Sequence, residues 1–476
     1  MRSLTAILTT VAALSVGAAS ALACTVHAEV GQTLAETSAL AAVFPLSWST
    51  PGPFATAPSR SSASPAATPP RTAYRLRLVG HADPREGYTA DVWAHRGYAY
   101  LSSWGGQPCA ADGVRVYDLS RPTRPARVST FADGDSDPAL AGTWTEKTIV
   151  QHVATPAFSG ELAVTSFQHC RPGAFRGFGL YDVTDPAAPR RLALVRTEMR
   201  GSHEIWLQPR AGTAYVYTAV IDSETMTAPD FDADTHTATT PGKPDFRIYD
   251  VSNPAAPTEI ASWGAWRELG MPPHPIEGVD RIVHSVRSNA AGTRAYLSYW
   301  DLGTVILDTT DPAAPRYLGR TPAVANAHSV ALGRNGTLLV ETHETEGGLP
   351  TFFDVSDPGQ PRRLGQLALP AASRPAPGGT SAFMNGVHDA DVTGSRAFFS
   401  WYSQGVLAAD AAAPARPRLL AQFLPPLRAD PQRALCRAAP CRIVWGVALD
   451  RGYVLASDML SGLYVLKLER KATKRT

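Results

Sequence analysis

Short runs of β-branched and aromatic residues alternate along this chain with turns rich in Asp, Asn, Gly and Pro. A typical stretch is His328-Ser-Val-Ala-Leu332, followed by Gly333-Arg-Asn-Gly336 and then Thr337-Leu-Leu-Val-Glu341. Apolar runs of this length, separated by turn residues, predict antiparallel β-strands joined in hairpins. The pattern therefore indicates an all-β protein.

One eight-residue phrase recurs through the chain: Asp, any residue, Ser or Thr, a polar residue, Pro, two further residues and Pro. The clearest copies begin at Asp182, Asp250, Asp308 and Asp354, and looser copies begin at Asp118 and Asp410. Asp, Ser and Thr side chains bond nearby backbone N–H groups, and each Pro fixes φ, so the phrase predicts a turn. Six copies indicate a repeat protein.

Each repeat contains four predicted strands, A to D, with the proline phrase between C and D. Four-stranded units that repeat without intervening helices are typical of a β-propeller. A seventh unit begins at Val444 and lacks its fourth strand, whereas an extra strand, residues 74–80, precedes the first unit. The sequence predicts a seven-bladed β-propeller of four-stranded antiparallel blades, with the last blade closed by the N-terminal strand.

The ends of the chain predict export. Residues 1–23 have the form of a signal peptide, with Arg2, an apolar run and small residues before Cys24. Residues 24–73 predict a flexible Ala/Pro/Ser-rich segment, residues 74–468 the propeller and residues 469–476 a basic tail. We expect a secreted or periplasmic protein without a transmembrane segment, and a lipid anchor through Cys24 is an alternative to release.

Net charge and composition indicate which kinds of partner the protein can bind. The formal net charge is only +2 and no basic stripe is interleaved with aromatic residues, so nucleic acid is not expected to bind. We expect a monomer that binds a small-molecule ligand or an extracellular protein.

Four further cysteines, Cys109, Cys170, Cys436 and Cys441, predict two disulfides, because an even number is typical of exported chains. Cys109 and Cys170 fall in the B–C connections of neighbouring blades, and Cys436 with Cys441 would close one small loop. A metal or thiol site is the alternative, although no Cys-x-x-Cys spacing supports it.

Histidines carry the candidate chemistry. Five of the 12 align with the start of strand A, which lines the channel of a propeller: His152, His203, His284, His328 and His388. Clustered neutral imidazoles commonly bind a transition metal, here copper first and then iron or zinc, with Glu204 orienting a ligand as an outer contact. The alternative is that the histidines are structural and bond neighbouring blades.

The B–C turns lie at the same face as the starts of the A strands. They predict a ligand mouth that is lined by Trp104, His169, Trp300, Asp301, His343, Trp401, Tyr402 and Asp458. A long B–C insertion in the third unit, residues 222–244, would cover this mouth as a lid.

The proline phrases, together with residues 151–162, 297–303 and 456–465, resemble the exported bacterial LVIVD-repeat proteins over residues 74–467. This resemblance implies a β-propeller without a settled activity. More distantly, His203-Glu-Ile205 and the Asp-containing turns are similar to the selenium-binding protein and methanethiol oxidase family. That resemblance implies a histidine-bound metal, copper in the oxidase.

Two functions stay open at this point. The first is a metal-dependent oxidoreductase, using copper or iron, whose catalytic residues the sequence does not assign. The second is a non-catalytic extracellular binding or scaffold propeller with structural histidines.

Overall fold

The structure is a computed structural model, and it describes residues 73–105, 113–198, 201–276, 278–345, 347–369, 386–436 and 439–471. The predicted signal peptide, Cys24 and Cys109 lie outside the described residues. Cys170 is disulfide-bonded, and its pairing with Cys109 stays a prediction. Cys436 and Cys441 form a disulfide with their Cα atoms 6.0 Å apart, as predicted.

The described residues form 29 strands, numbered in chain order. The first ten are β1 (Tyr74–Ala82), β2 (Tyr88–His95), β3 (Tyr98–Trp104), β4 (Val114–Asp118), β5 (Ala126–Phe131), β6 (Thr143–Trp144), β7 (Thr148–Ala154), β8 (Ser159–His169), β9 (Gly177–Asp182) and β10 (Arg190–Arg196). The next ten are β11 (Ile205–Arg210), β12 (Thr213–Ala219), β13 (Phe246–Asp250), β14 (Thr258–Trp263), β15 (Val283–Ser288), β16 (Arg294–Tyr299), β17 (Gly303–Asp308), β18 (Arg316–Arg320), β19 (Ala327–Gly333) and β20 (Leu338–His343). The last nine are β21 (Thr351–Asp354), β22 (Arg362–Gln366), β23 (Asp389–Thr393), β24 (Arg396–Trp401), β25 (Gly405–Asp410), β26 (Arg418–Phe423), β27 (Val444–Asp450), β28 (Tyr453–Asp458) and β29 (Gly462–Arg470).

The strands form seven sheets, and the predicted seven-bladed propeller is confirmed. Blades 1 to 6 are β2–β5, β6–β10, β11–β14, β15–β18, β19–β22 and β23–β26, where β6 is a short extra strand beside β8. Blade 7 has the order β1-β29-β28-β27. Helical structure in the described residues is confined to short segments: α1 (Ser223–Met226), α2 (Ala265–Leu269) and three 3₁₀ turns at Pro138–Leu140, Trp300–Leu302 and Arg334–Gly336.

The proline phrases are turns, as predicted, and their carboxylates bond the turn backbone. Asp308 accepts the Thr310 N–H at 2.8 Å, and Asp311 accepts the Ala313 N–H at 3.0 Å. The same kind of bond recurs in other copies, for example from Asp354 to the Ser356 N–H at 3.0 Å. These Asp residues therefore shape the C–D turns.

The ring closes through β1 and β29, which pair from Tyr74↔Arg470 to Ala82↔Leu463. Leu76 of β1 is buried among apolar side chains of blades 6 and 7, such as Phe398 and Leu466. Because β29 extends to Arg470, the first two residues of the predicted basic tail belong to blade 7.

Apolar packing lies mainly between neighbouring blades. In the cluster between blades 3 and 4, Tyr217 and Phe246 pack against Val283 and Leu297. Along the axis, by contrast, the starts of the A strands carry buried polar side chains, including His203, His284, His328 and His388. The channel is therefore lined by polar side chains that could bind a ligand. Among the described residues, no helix has both the length and the apolar character to cross a membrane.

Candidate metal site at the axial mouth

Four imidazoles from four consecutive blades stand side by side around the axis. The ring centroids of His203 and His284 are 4.4 Å apart, those of His284 and His328 are 4.2 Å apart, and those of His328 and His388 are 4.2 Å apart. Trp445 of blade 7 continues the row at 4.2 Å from His388. The structure brings together four of the five histidines that the sequence pattern indicates.

His152 is not part of this ring, and the alignment that places it there is wrong. It lies near the far end of β7, where its side chain is 48% exposed and its Nδ1 is 3.1 Å from Glu161. Glu146, just before β7, takes the blade 2 position in the ring. Its Oε1 accepts the Trp445 indole N–H at 2.5 Å and lies 3.8 Å from His388 Nε2.

Backbone and amide contacts determine which nitrogen of two imidazoles carries the proton. His328 Nδ1 lies 2.6 Å from the backbone carbonyl of His388, and because a carbonyl only accepts, this nitrogen must donate. His203 Nδ1 lies 2.6 Å from Gln168 Oε1 and donates in the same way. In the neutral ring the Nε2 atom of each therefore keeps a lone pair, which is the form that binds metals.

The Nε2 atoms of His203 and His284 are only 2.9 Å apart. Without an ion, His284 Nε2 must donate a hydrogen bond to His203 Nε2, which keeps its lone pair. The same spacing suits one ion, because two nitrogen ligands at about 2.0–2.1 Å from a metal and at right angles to each other lie about 2.9 Å apart.

Glu344 adds a carboxylate beside the imidazoles. Its Oε2 lies 3.3 Å from His328 Nε2, and its Oε1 accepts a hydrogen bond from the Tyr402 hydroxyl. One ligand atom from each of His284, His328 and Glu344 lies within 4.8 Å of the other two, and all three residues are buried. These residues can hold a metal ion.

Burial shifts the pKa values of Glu344 and of the neighbouring histidines His328 and His388. It raises the pKa of Glu344 to about 8, although the Tyr402 hydrogen bond opposes this. It lowers the pKa of His328 well below the usual range, with nearby His388 adding to the effect, and burial also lowers the pKa of His388. At neutral pH the site thus offers the uncharged imidazole of His328 and one carboxyl group that a cation can deprotonate.

A layer of charge lies one residue further into the channel. The Lys147 ammonium is 3.2 Å from Asp91, 2.8 Å from Glu204 and 3.2 Å from Asp389. Burial raises the pKa of Glu204 to about 8 and that of Asp91 to about 6, while Lys147 opposes both shifts. Burial also acts to raise the pKa of Asp389, but Lys147, together with Arg287 and the hydrogen bonds from Ala390 and Ser329, holds that pKa below the usual range. Glu204, predicted to orient a metal ligand, contacts Lys147.

Part of the predicted mouth lies close to the imidazoles. The Trp300 ring is 4.8 Å from that of His284, the Tyr402 ring is 5.5 Å from that of His388, and Trp104 is 6.2 Å from Trp445. These aromatic side chains lie at the end of strand B or in the B–C turn of three blades and border the ring.

The remaining predicted mouth residues have other surroundings. Trp401 packs in the apolar core with Phe352 and Phe399, and His343 pairs with Glu341 at 2.9 Å. Asp301 accepts the N–H groups of Asp280 and Asn326, and Asp458 accepts those of Ile443, Leu460 and Ser461. His169 lies at the end of β8, where burial and the charge of Arg176 lower its pKa.

The blade 3 insertion is fastened to the connection between blades 3 and 4. Glu224 accepts the N–H groups of Trp266 and Arg267, each at 3.0 Å. Asp230 and Asp232 bond residues of the insertion itself, such as Thr239 and Thr235. The lid stays a prediction.

Glu146, Lys147 and Gln168 do not emerge as candidates from the sequence. The sequence holds a signal for Glu146 and Lys147, because this pair stands just before β7 in the way that His203 and Glu204 stand just before β11. An alignment that matches only histidines misses this pair and places His152 at the position instead. Gln168 has no such signal, since its contact with His203 arises only when blades 2 and 3 pack together.

Comparisons with known proteins agree with this architecture. Residues 242–264 match the LVIVD repeat. Among solved structures the chain is similar to Raptor of Chaetomium thermophilum, with a TM-score of 0.52 and 13% identity over 84% of this chain and 30% of that chain. It is also similar to the β-propeller domain of Myceliophteria thermophila Cps50 (Swd1), with a TM-score of 0.50 and 11% identity over 82% of this chain and 98% of that domain.

At these identities the structural likeness shows the fold alone, and the chain spans less than a third of the Raptor chain. No curated protein matches the sequence. The repeat match supports the LVIVD part of the resemblance, whereas the resemblance to selenium-binding proteins has no support from these matches.

Proposed function

We propose that this propeller binds one transition-metal ion at its axial mouth, with His284, His328 and Glu344 as ligands. The observation that carries the proposal is the convergence of their three ligand atoms within 4.8 Å in a buried site. The hydrogen bond from His328 Nδ1 to the His388 carbonyl supports it, because a fixed Nδ1–H directs the lone pair of Nε2 toward Glu344.

His203 is the proposed fourth ligand, because its Nε2 lies 2.9 Å from that of His284. Three imidazoles and a carboxylate suit copper, iron and zinc, and the imidazole-rich set favours copper as the first metal to test. The pKa of Glu344 is about 8, so binding at neutral pH releases its proton as the metal takes the carboxylate.

The finer hypothesis is that the ion is a redox centre, and O₂-dependent oxidation of a small reduced compound is the reaction to test. Substrate would reach the ion from the side of Trp300, whose ring is 4.8 Å from that of His284.

One observation favours a different function, a non-catalytic extracellular binding or scaffold propeller. His328 is only 1% exposed and His203 only 6%, so the ring is shielded much as a structural cluster is. On this hypothesis the imidazoles join neighbouring blades, and any bound ion serves stability.

The deciding experiment is metal analysis of protein purified without a His tag and then titrated with Cu²⁺, Fe²⁺ and Zn²⁺. The variants are His328→Gln, which removes a proposed ligand, and His152→Gln, which removes an exposed histidine that also pairs with a glutamate. We expect His328→Gln to lose the axial equivalent and His152→Gln to keep it, with both variants folded by circular dichroism.

Equal metal occupancy in His328→Gln and the wild type would overturn the axial site. A bound ion with no O₂ consumption in the presence of thiols or other small reductants would support metal binding and refute the redox hypothesis.

A further inference from the structure

A second group of metal-ligating side chains lies outside the axial ring, where the blade 3 insertion meets the connection to blade 4. The carboxylate of Asp222 lies between two imidazoles. Its Oδ2 is 2.6 Å from His236 Nε2, and its Oδ1 is 2.9 Å from His274 Nε2. One ligand atom from each of the three residues lies within 4.8 Å of the others.

His274 contacts carboxylates through both of its ring nitrogens. Its Nε2 faces Asp222 and its Nδ1 faces Asp280 Oδ1 at 2.9 Å, so both ring nitrogens point at carboxylate oxygens. A neutral imidazole donates to one of these oxygens, whereas an imidazolium donates to both. The same geometry accepts an ion at Nε2, because Nδ1–H then donates to Asp280 in the carboxylate–histidine–metal arrangement common in metal sites.

The carboxylate and one of the imidazoles are buried. Asp222 is 1% exposed and His236 is 6% exposed, and buried charges are usually paired or bound to metal. The side chain of His274 is 17% exposed, which leaves a path by which an ion can enter from solvent.

We propose that Asp222, His236 and His274 bind a divalent transition-metal ion, with zinc as the metal to test first. Two imidazoles and one carboxylate form a ligand set that zinc accepts, and three protein ligands leave a coordination position for water or another ligand. The site is separate from the axial one, and the proposal does not depend on the proposed function.

The ion would fasten the insertion to the propeller. Asp222 and His236 belong to the insertion, whereas His274 and Asp280 belong to the connection between blades 3 and 4. Ile221, beside Asp222, packs on Ile282 and Trp300, and Trp300 contacts His284 of the axial ring. Zinc binding would therefore hold the insertion at the border of the axial mouth.

The test uses the tag-free full chain after chelation, in a His328→Gln background that removes the proposed axial site. Zinc titration should give one equivalent in this parent. Adding His274→Gln or His236→Asn should abolish that equivalent, and Asn is chosen at 236 because this position has a left-handed backbone with φ 54, which Asn tolerates. Adding His152→Gln should leave it unchanged.

Limited proteolysis provides a second measurement. Zinc should slow cleavage within residues 223–244 of the parent and have no effect on cleavage of the His274→Gln protein. Asp280→Asn keeps all three ligands and should weaken zinc binding about 10–100-fold. It serves as the test if a ligand variant fails to fold.

Zinc affinity that is unchanged by both His274→Gln and Asp280→Asn would overturn the proposal. A parent protein that binds no zinc and shows no zinc-dependent protection would overturn it too. If the wild type nevertheless binds one equivalent of zinc, that ion belongs to the axial ring instead.

Discussion

His328 donates from Nδ1 to the backbone carbonyl of His388 in the next blade, across 2.6 Å. This contact is one of several hydrogen bonds that join blades 5 and 6. It also fixes the imidazole so that Nε2 faces Glu344, 3.3 Å away. Each ring histidine belongs to a different blade, so the geometry of the site depends on how the blades pack. A closed propeller is a rigid support for such a site, because every blade is held from both sides.

Glu344→Gln should weaken metal binding at the axial mouth by at least about 10-fold, since it removes the only carboxylate among the proposed ligands. The amide oxygen can still accept from Tyr402, so the fold should persist. Glu341→Gln is the matched control, because Glu341 forms a buried pair with His343 at 2.9 Å. Isothermal titration measures both, and equal affinities would remove Glu344 from the ligand set.

Much of the fold could be predicted because its signals are local. The Asp308 carboxylate bonds a backbone N–H two residues away at 2.8 Å, so the turn is specified within one phrase. The missing fourth strand of the last unit and the surplus strand at residues 74–80 together indicate closure. The pairing of Leu76 with Leu468 follows from that closure.

The site was less predictable because several of its contacts join different blades. The A-strand position predicts His203 and His388, but Gln168 contacts His203 from strand β8 of the preceding blade. Tyr402 lies beside His388 from the B–C turn of the same blade. The blade 2 position carries Glu146 rather than a histidine, and a pattern of one residue type cannot reveal such a substitution. Trp401 illustrates the opposite error, since it is one residue from Tyr402 yet packs in the core.

Closure can be tested within one strand. Leu76 is 6% exposed and Leu78 is 46% exposed, although both lie in β1. Leu76→Ala should lower the free energy of unfolding by about 2–5 kcal/mol, as expected for a leucine removed from a packed core. Leu78→Ala should change it by less than about 0.5 kcal/mol. Urea denaturation measures both, and equal losses would argue that β1 does not pack as an integral strand of blade 7.

Lys147→Met should destabilise the protein strongly. The ammonium lies within 3.2 Å of Asp91, Glu204 and Asp389, and its removal leaves buried carboxylates without a counter-charge, at a cost of about 3–5 kcal/mol. Lys243→Met is the control, because its ion pair with Glu198 has a lysine side chain that is 63% exposed. That change should cost less than about 1 kcal/mol. Thermal and urea melts at neutral pH measure the loss of stability in both variants. Equal losses in Lys147→Met and Lys243→Met would contradict the expected role of Lys147.

Glu161, the carboxylate that pairs with His152, provides a test of how stability depends on pH. Burial acts to raise the pKa of Glu161, but hydrogen bonds from His95 and His152, together with the charges of His95 and Arg96, hold that pKa below its ordinary value of 4.5. A carboxyl group whose pKa is lower in the folded state stabilises the fold above its unfolded pKa, and this contribution disappears as pH falls through the folded value. Glu161→Gln should therefore lower stability most at pH values above 4.5.

The difference in unfolding free energy between Glu161→Gln and the wild type should shrink steadily as pH is lowered below 4.5, when measured by urea denaturation. Glu86→Gln is the matched control, because Glu86 pairs with Arg127 while its own side chain is 60% exposed. That variant should differ from the wild type by less than about 1 kcal/mol at neutral pH. A Glu161→Gln penalty that stayed constant down to acid pH would mean that Glu161 does not stabilise the fold through its charge.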